Sequence, residues 1–236
     1  KTNCSDLFLD TATFTAYFTY TTKKNRNNSQ IYYSKFENHN WTKPMPFLPT
    51  FDKNSSNTHP VIARQKNEAI MYFASNRSGG FGQMDIWFVN LNDKSAKPIN
   101  CGNTINTIGN EITPFYYVDD EELYFSSDKH YGFGGFDIFR SNGWQNRWTT
   151  PENLLTPINS PANDMYPFII DSDNEGYFTS NRESTYNKHN KTCCNDLYRF
   201  NSNVPNEPTM QVIEKKDKFN PMFDLPLALY FHNDSP

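Results

Sequence analysis

Phe73-Ala-Ser-Asn-Arg-Ser-Gly-Gly-Phe-Gly-Gln-Met-Asp-Ile-Trp-Phe88 reads as a short aromatic strand, a glycine-rich reversal and a second strand opened by an aspartate. The pattern returns at Phe125-Ser-Ser-Asp-Lys-His-Tyr-Gly-Phe-Gly-Gly-Phe-Asp-Ile-Phe139. A third copy runs Phe178-Thr-Ser-Asn-Arg182, then a longer polar loop, then Asn195-Asp-Leu-Tyr198. A weaker copy precedes them all, Phe18-Thr-Tyr-Thr-Thr22 and Ser29-Gln-Ile-Tyr-Tyr33 around an Asn/Lys loop. The aromatic pairs at 17/18, 72/73, 124/125 and 177/178 repeat about every 53 residues, the signature of one small sheet per unit. An all-β fold is expected: a β-propeller of four-stranded antiparallel blades, with four recognisable repeats in a ring of four or five.

Composition agrees. Twenty Phe, 14 Tyr and 4 Trp among 236 residues favour strands over helices. Segments such as Leu123-Tyr-Phe125 and Ile86-Trp-Phe-Val89 are apolar on both faces, as strands covered on both sides must be. A two-layer sandwich would alternate polar residues on its outer face. The net charge of −4 supplies no basic stripe for nucleic acid, and no run of about 18 apolar residues is present to span a membrane. The blades are expected over about 1–50, 51–105, 106–160 and 161–213, with 214–236 a linker and the first strand of a following, truncated domain. The first residues resemble no signal peptide, so the chain is expected to be mature or cut from something larger.

The prominent polar residues recur once per blade, which is the mark of structure. Asp85, Asp137 and Asp196 stand at the ends of these loops, where a carboxylate caps free backbone N–H groups or pairs with Arg77 or Arg182. The loops have no Lys-Ser/Thr for a phosphate, and the five histidines lack ligand spacing. No Gly-x-Ser-x-Gly elbow occurs. No metal, no cofactor and no catalytic residue are expected, and the chain is expected to be non-enzymatic. The rival is a glycan-binding or glycoside-hydrolase propeller with its pocket at the central channel. Its mark would be a cluster of non-repeated carboxylates and aromatics at one channel mouth, and none stands out in the sequence. Partner contacts are expected on the glycine-loop face, with Arg77, Phe81, Tyr131, Phe133 and Arg182 as candidates. Of the four cysteines, Cys4 is expected near Cys193 and Cys194 if four blades close the ring, so a staple from Cys4 to either of them, a vicinal Cys193–Cys194 bridge and free thiols all stay open.

The repeats resemble the PD40 (WD40-like, TolB-related) propeller family. The resemblance is carried by Ser-Asn-Arg at 75–77 and 180–182, Gly-Gly-Phe at 79–81 and 134–136, and Asp-Ile/Leu-aromatic at 85–87, 137–139 and 196–198. Pro157-Ile-Asn-Ser-Pro-Ala-Asn-Asp164 is similar to its blade junction. The first unit departs, with Gln30 where the aspartate should stand. The tail Leu225-Pro-Leu-Ala-Leu-Tyr-Phe-His-Asn-Asp234 is similar to the entry strand of OmpA-like peptidoglycan-binding domains. The combination implies a periplasmic, outer-membrane-associated scaffold of the PorE-like type found in type IX secretion machinery. Its implied partners are envelope proteins, and peptidoglycan through a missing C-terminal domain.

Overall fold

The computed structural model describes residues 3–21, 28–171, 175–182, 195–201 and 211–212. Every regular element among them is a strand. The first sheet holds β1 (Asn3–Asp10), β2 (Thr15–Thr21) and β3 (Gln30–Glu37), with β4 (Asn40–Trp41) and β5 (Met45–Pro46) both on the edge of β3. The second holds β6 (Asn57–Gln65), β7 (Glu68–Ser75), β8 (Asp85–Asn90) and β9 (Ile99–Asn100). The third holds β10 (Glu111–Tyr117), β11 (Glu122–Ser127) and β12 (Asp137–Trp144), edged by β13 (Arg147–Trp148) and β14 (Glu152–Asn153). The fourth holds β15 (Asp164–Asp171), β16 (Glu175–Ser180), β17 (Asp196–Asn201) and β18 (Gln211–Val212). All pair antiparallel in chain order, and the four sheets form a four-bladed β-propeller.

The aromatic excess goes where two-sided strands require it, into the layers between blades. Val61, Tyr72, Phe88, Tyr116, Leu123 and Phe125 form the layer between the second and third sheets, with Tyr72 and Tyr116 stacked at 5.5 Å and 13°. Tyr17, Ile31, Met71, Phe73 and Trp87 fill the layer before it, and Ile138, Phe178 and Tyr198 the layer after it. Rings of this size each bury on the order of 150–250 Å², so three such layers supply most of the core.

The repeated polar residues fasten one blade to the next. Asp85 accepts from the N–H groups of Phe81 (2.6 Å) and Gly82 (2.9 Å), and Asp137 does the same for Phe133 (2.5 Å) and Gly134 (3.3 Å). The loop-capping role expected of these two aspartates is what the side chains do. Gly82 and Gly134 lie against the chain leading into the following blade. A Cβ on Gly82 would run into the carbonyls of Thr107 and Gly109, and one on Gly134 into those of Ser160 and Ala162. In the same leads, buried Asn106 spans the backbone N–H (2.7 Å) and C=O (2.9 Å) of Ile86, and Asn159 spans those of Ile138 (both 2.8 Å). In the first blade Gln30 takes over, donating to the carbonyls of Asp52 (2.7 Å) and Ser55 (2.6 Å). A longer side chain thereby makes the inter-blade link without the glycine loop.

The seam between the fourth and first blades is different. Among the described residues no apolar layer lies there, and a side-chain contact at the channel joins the two, Tyr166 to Asp6. No helix of the described residues is long and apolar enough to cross a membrane. The expected linker and entry strand at 214–236 lie outside the described residues.

Candidate functional site

The innermost strands β1, β6, β10 and β15 share a local irregularity. Each slips register by a β-bulge, between Ser5 and Phe8, Thr58 and Val61, Ile112 and Phe115, and Met165 and Phe168. At every bulge one non-glycine residue takes the left-handed conformation: Asp6 (φ 53°), His59 (φ 52°), Thr113 (φ 51°) and Tyr166 (φ 57°). Proline follows in three of the four, at Pro60, Pro114 and Pro167. The inner strand is the sheet edge that faces the channel, so the absent N–H costs no ladder bond. A bulge of this kind re-aims one side chain, and non-glycine residues at positive φ cost on the order of 1–3 kcal/mol each. Here all four line one cavity of about 380 Å³ bounded by the four inner strands, a volume within the range of small-molecule sites.

Unlike the loop aspartates, these four residues do not repeat. One position of the repeat carries a carboxylate, an imidazole, a hydroxyl and a phenol, and they converge. The Tyr166 hydroxyl lies 3.3 Å from Asp6 Oδ1 and 3.2 Å from His59 Nε2, which is itself 3.6 Å from Asp6 Oδ1. His59 Nδ1 is 2.8 Å from the Thr58 hydroxyl, and Ser5 donates to Asp6 Oδ2 at 3.1 Å. Thr113 is buried, 2.8 Å from the Ser126 hydroxyl, and accepts from the Tyr166 backbone N–H at 3.4 Å, which fixes the bulge that aims the phenol.

Burial decides the protonation states. It lowers the His59 pKa below the ordinary histidine value, against the pull of Asp6, so the imidazole is neutral at pH 7. Burial, with the Asp6 charge second, raises the Tyr166 phenol, which keeps its proton. One proton assignment satisfies every group: Thr58 donates to Nδ1, Nε2–H donates to the Tyr166 oxygen, and the phenol donates to Asp6. The chain of donors ends on the carboxylate. Phe115 and Phe168, their rings 5.1 Å apart, line the same cavity. Among the described residues no group of three His, Cys, Asp or Glu side chains is arranged to hold a metal ion.

The residues singled out as partner contacts stand elsewhere. Arg77 lies over the rings of Phe73 (5.0 Å) and Trp87 (5.4 Å) and donates to the Thr50 carbonyl at 2.8 Å. Arg182 repeats this over Phe178 and Tyr198, donating to the Pro157 carbonyl (2.9 Å) and pairing with buried Asp164 (2.5 Å). Both guanidiniums therefore clamp a blade to the lead before it. His130 holds the equivalent place in the third blade, against Phe125 and Phe139. Phe81, Tyr131 and Phe133 are exposed on the glycine loops, Tyr131 almost wholly. Cys4 is an exposed thiol on β1 and Cys101 a buried one, while Cys193 and Cys194 lie outside the described residues.

No family model and no curated protein matches the chain. Solved structures do match in fold. The chain is similar to a thermostable family-43 glycoside hydrolase (TM-score 0.56, 11% identity, 92% of this chain and 74% of that one). It is also similar to an α-L-arabinofuranosidase from Lactobacillus brevis (0.54, 12%, 82% and 70%). A third is the GH93 α-L-arabinofuranosidase of Fusarium graminearum in complex with arabinobiose (0.52, 12%, 84% and 63%). At such identities the likeness is one of fold. The expectation of a non-enzymatic chain is corrected by these findings. It rested on polar residues that repeat blade by blade, whereas the channel holds polar residues that do not, and the solved structures similar in fold include glycoside hydrolases.

Proposed function

We propose that the central channel is a carbohydrate site and that the chain acts on glycosides there. The observation that carries this reading is the set of four dissimilar side chains, Asp6, His59, Thr113 and Tyr166, brought into one cavity by the same strained bulge of each blade. Strain retained at equivalent positions, with different chemistry at each, is what a ligand site requires and a scaffold does not. The glycoside hydrolases that share the fold, one of them in complex with arabinobiose, support the substrate class.

The channel departs from the usual pair of carboxylates, since Asp6 is the one acidic residue among the described residues that line it. The Tyr166–Asp6 pair supplies the known variant, a tyrosine nucleophile beside a carboxylate base. As the Tyr166 oxygen bonds to the anomeric carbon, its proton passes to Asp6. The bond to the leaving oxygen breaks on the opposite face of the anomeric carbon, and that oxygen takes a proton from solvent. Water then reverses the sequence to free the sugar. A sugar's apolar face is accommodated by Phe115 and Phe168.

Calorimetric titration with arabino-, xylo- and gluco-oligosaccharides, together with release from aryl glycosides, tests the reading. Tyr166→Phe and Asp6→Asn should each abolish turnover with the fold intact. Failure of every glycan to bind at millimolar concentration would sink the proposal. The envelope location implied by the PD40 resemblance belongs to the same proposal, and recovery of the protein from cytoplasm after fractionation would remove it.

A further inference from the structure

Asp6 is provided for differently from the buried carboxylates. Asp10 pairs with Arg64, Asp164 with Arg182, and Glu122 with Arg140. Asp85 and Asp137 receive backbone N–H groups, and Glu111 receives the N–H and hydroxyl of Thr107 and the hydroxyl of Ser127. The Asp6 side chain is 9% exposed, and its partners are two hydroxyls and the imidazole of His59, which burial keeps neutral. Among the described residues no Lys or Arg lines the cavity, and none pairs with Asp6. A carboxylate taken out of water without a counter-charge is costly, and the cost is removed by whatever cation enters. The other lining residues include Phe115, Phe168 and Tyr166, aromatic rings whose faces are negative.

We propose that the channel selects ligands carrying a positive charge, an amino sugar or a comparable amine, over neutral and acidic ones. The sugar part rests on the carbohydrate reading above; the charge part does not. The ammonium would sit against Asp6 and the aromatic walls. An acidic sugar would bring a second carboxylate to the same place, where like charges repel.

The experiment is a charge series on the whole chain at pH 7. Binding of glucose, N-acetylglucosamine, glucuronate, glucosamine and tetramethylammonium is measured by calorimetry or ligand-observed NMR, in wild type and Asp6→Asn. Glucosamine should bind about tenfold or more tightly than glucose or N-acetylglucosamine, with glucuronate weakest. In Asp6→Asn the preference should fall to within about twofold, the loss expected when the charge that made it is removed. The wild-type series needs no variant, so a poorly folded mutant leaves the test intact. Equal binding of glucose and glucosamine would overturn the inference and leave the carbohydrate reading standing. Tetramethylammonium binding that depends on Asp6, with no sugar bound, would uphold the inference and remove the carbohydrate reading. Binding of neither class would overturn both.

Discussion

The loop that opens the third strand of a blade and the bulge in its first strand use the repeat in opposite ways. At the loop, Asp85 and Asp137 cap the same two N–H groups, and Asn106 and Asn159 bridge the same backbone pair one lead further on. At the bulge, the backbone repeats down to its φ of 51–57° while the side chain changes at every turn of the ring. A contact between neighbouring blades recurs around the ring, so a residue that solves it once solves it each time. The channel is different because all blades face one shared space. Four identical side chains there would give a symmetric pore, and four different ones give an asymmetric site. Repetition marks the frame, and its local failure marks the function.

The largest effects should come from breaking the frame. Asn159→Ala removes both bonds to Ile138 inside a buried layer and leaves the Ile138 N–H unpaired, while its carbonyl keeps the Leu154 N–H at 3.1 Å. A loss of about 2–4 kcal/mol is expected, seen as a fall of about 5–15 °C in Tm. Ligand binding per folded molecule should be retained, because no channel residue is touched. Survival of the wild-type Tm would show that the lead is held by other contacts. Gly134→Ala should follow, at roughly 1–3 kcal/mol, since the clash is with backbone carbonyls that cannot swing aside.

The two regions were unequally legible in the sequence for a physical reason. The propeller, its aromatic layers and the capping role of Asp85 and Asp137 follow from residues that recur with the period, and recurrence is visible in a single chain. The channel set is defined by residues that differ. Nothing local encodes positive φ at His59, Thr113 or Tyr166, none of which is glycine or asparagine. The available signal was the proline: His59-Pro60, Thr113-Pro114 and Tyr166-Pro167 share a position at which the residue before proline varies. Asp6-Leu7 lacks even that mark. Arg77 and Arg182 were visible as a motif, but their direction was not, because the carbonyls they reach belong to the preceding lead.

A middle-sized effect sharpens the contrast by changing the channel and sparing the frame. Asp6→Asn keeps a residue that tolerates positive φ and removes a partly buried charge that has no cationic partner among the described residues. Stability should hold or rise, by up to about 1 kcal/mol, while turnover and amine preference are lost. Stabilisation accompanied by loss of function is what a ligand site predicts. A destabilisation as large as that of Asn159→Ala would instead make Asp6 part of the frame.

The smallest effect expected is the titration of His59. The groups that face it are Asp6, Tyr166 and Thr58, with Thr19 accepting from its backbone N–H. Its folded pKa lies below the ordinary 6.5, with burial outweighing Asp6. The unfolded chain therefore binds the proton first as pH falls, and between the two values stability must fall with pH. Above 6.5 the contribution of the neutral, partly buried imidazole is present in full, and it is lost as pH drops towards the folded value. The same proton would place an imidazolium beside Asp6 and supply internally the counter-charge that a cationic ligand otherwise provides. Amine affinity should therefore weaken over the pH range in which this part of the stability is lost. Denaturant midpoints and glucosamine titrations between pH 7.5 and 5 measure both, with His59→Asn as the control that should flatten the two together. If the variant flattens stability but leaves the pH dependence of binding untouched, His59 belongs to the wall of the channel and takes no part in its charge balance.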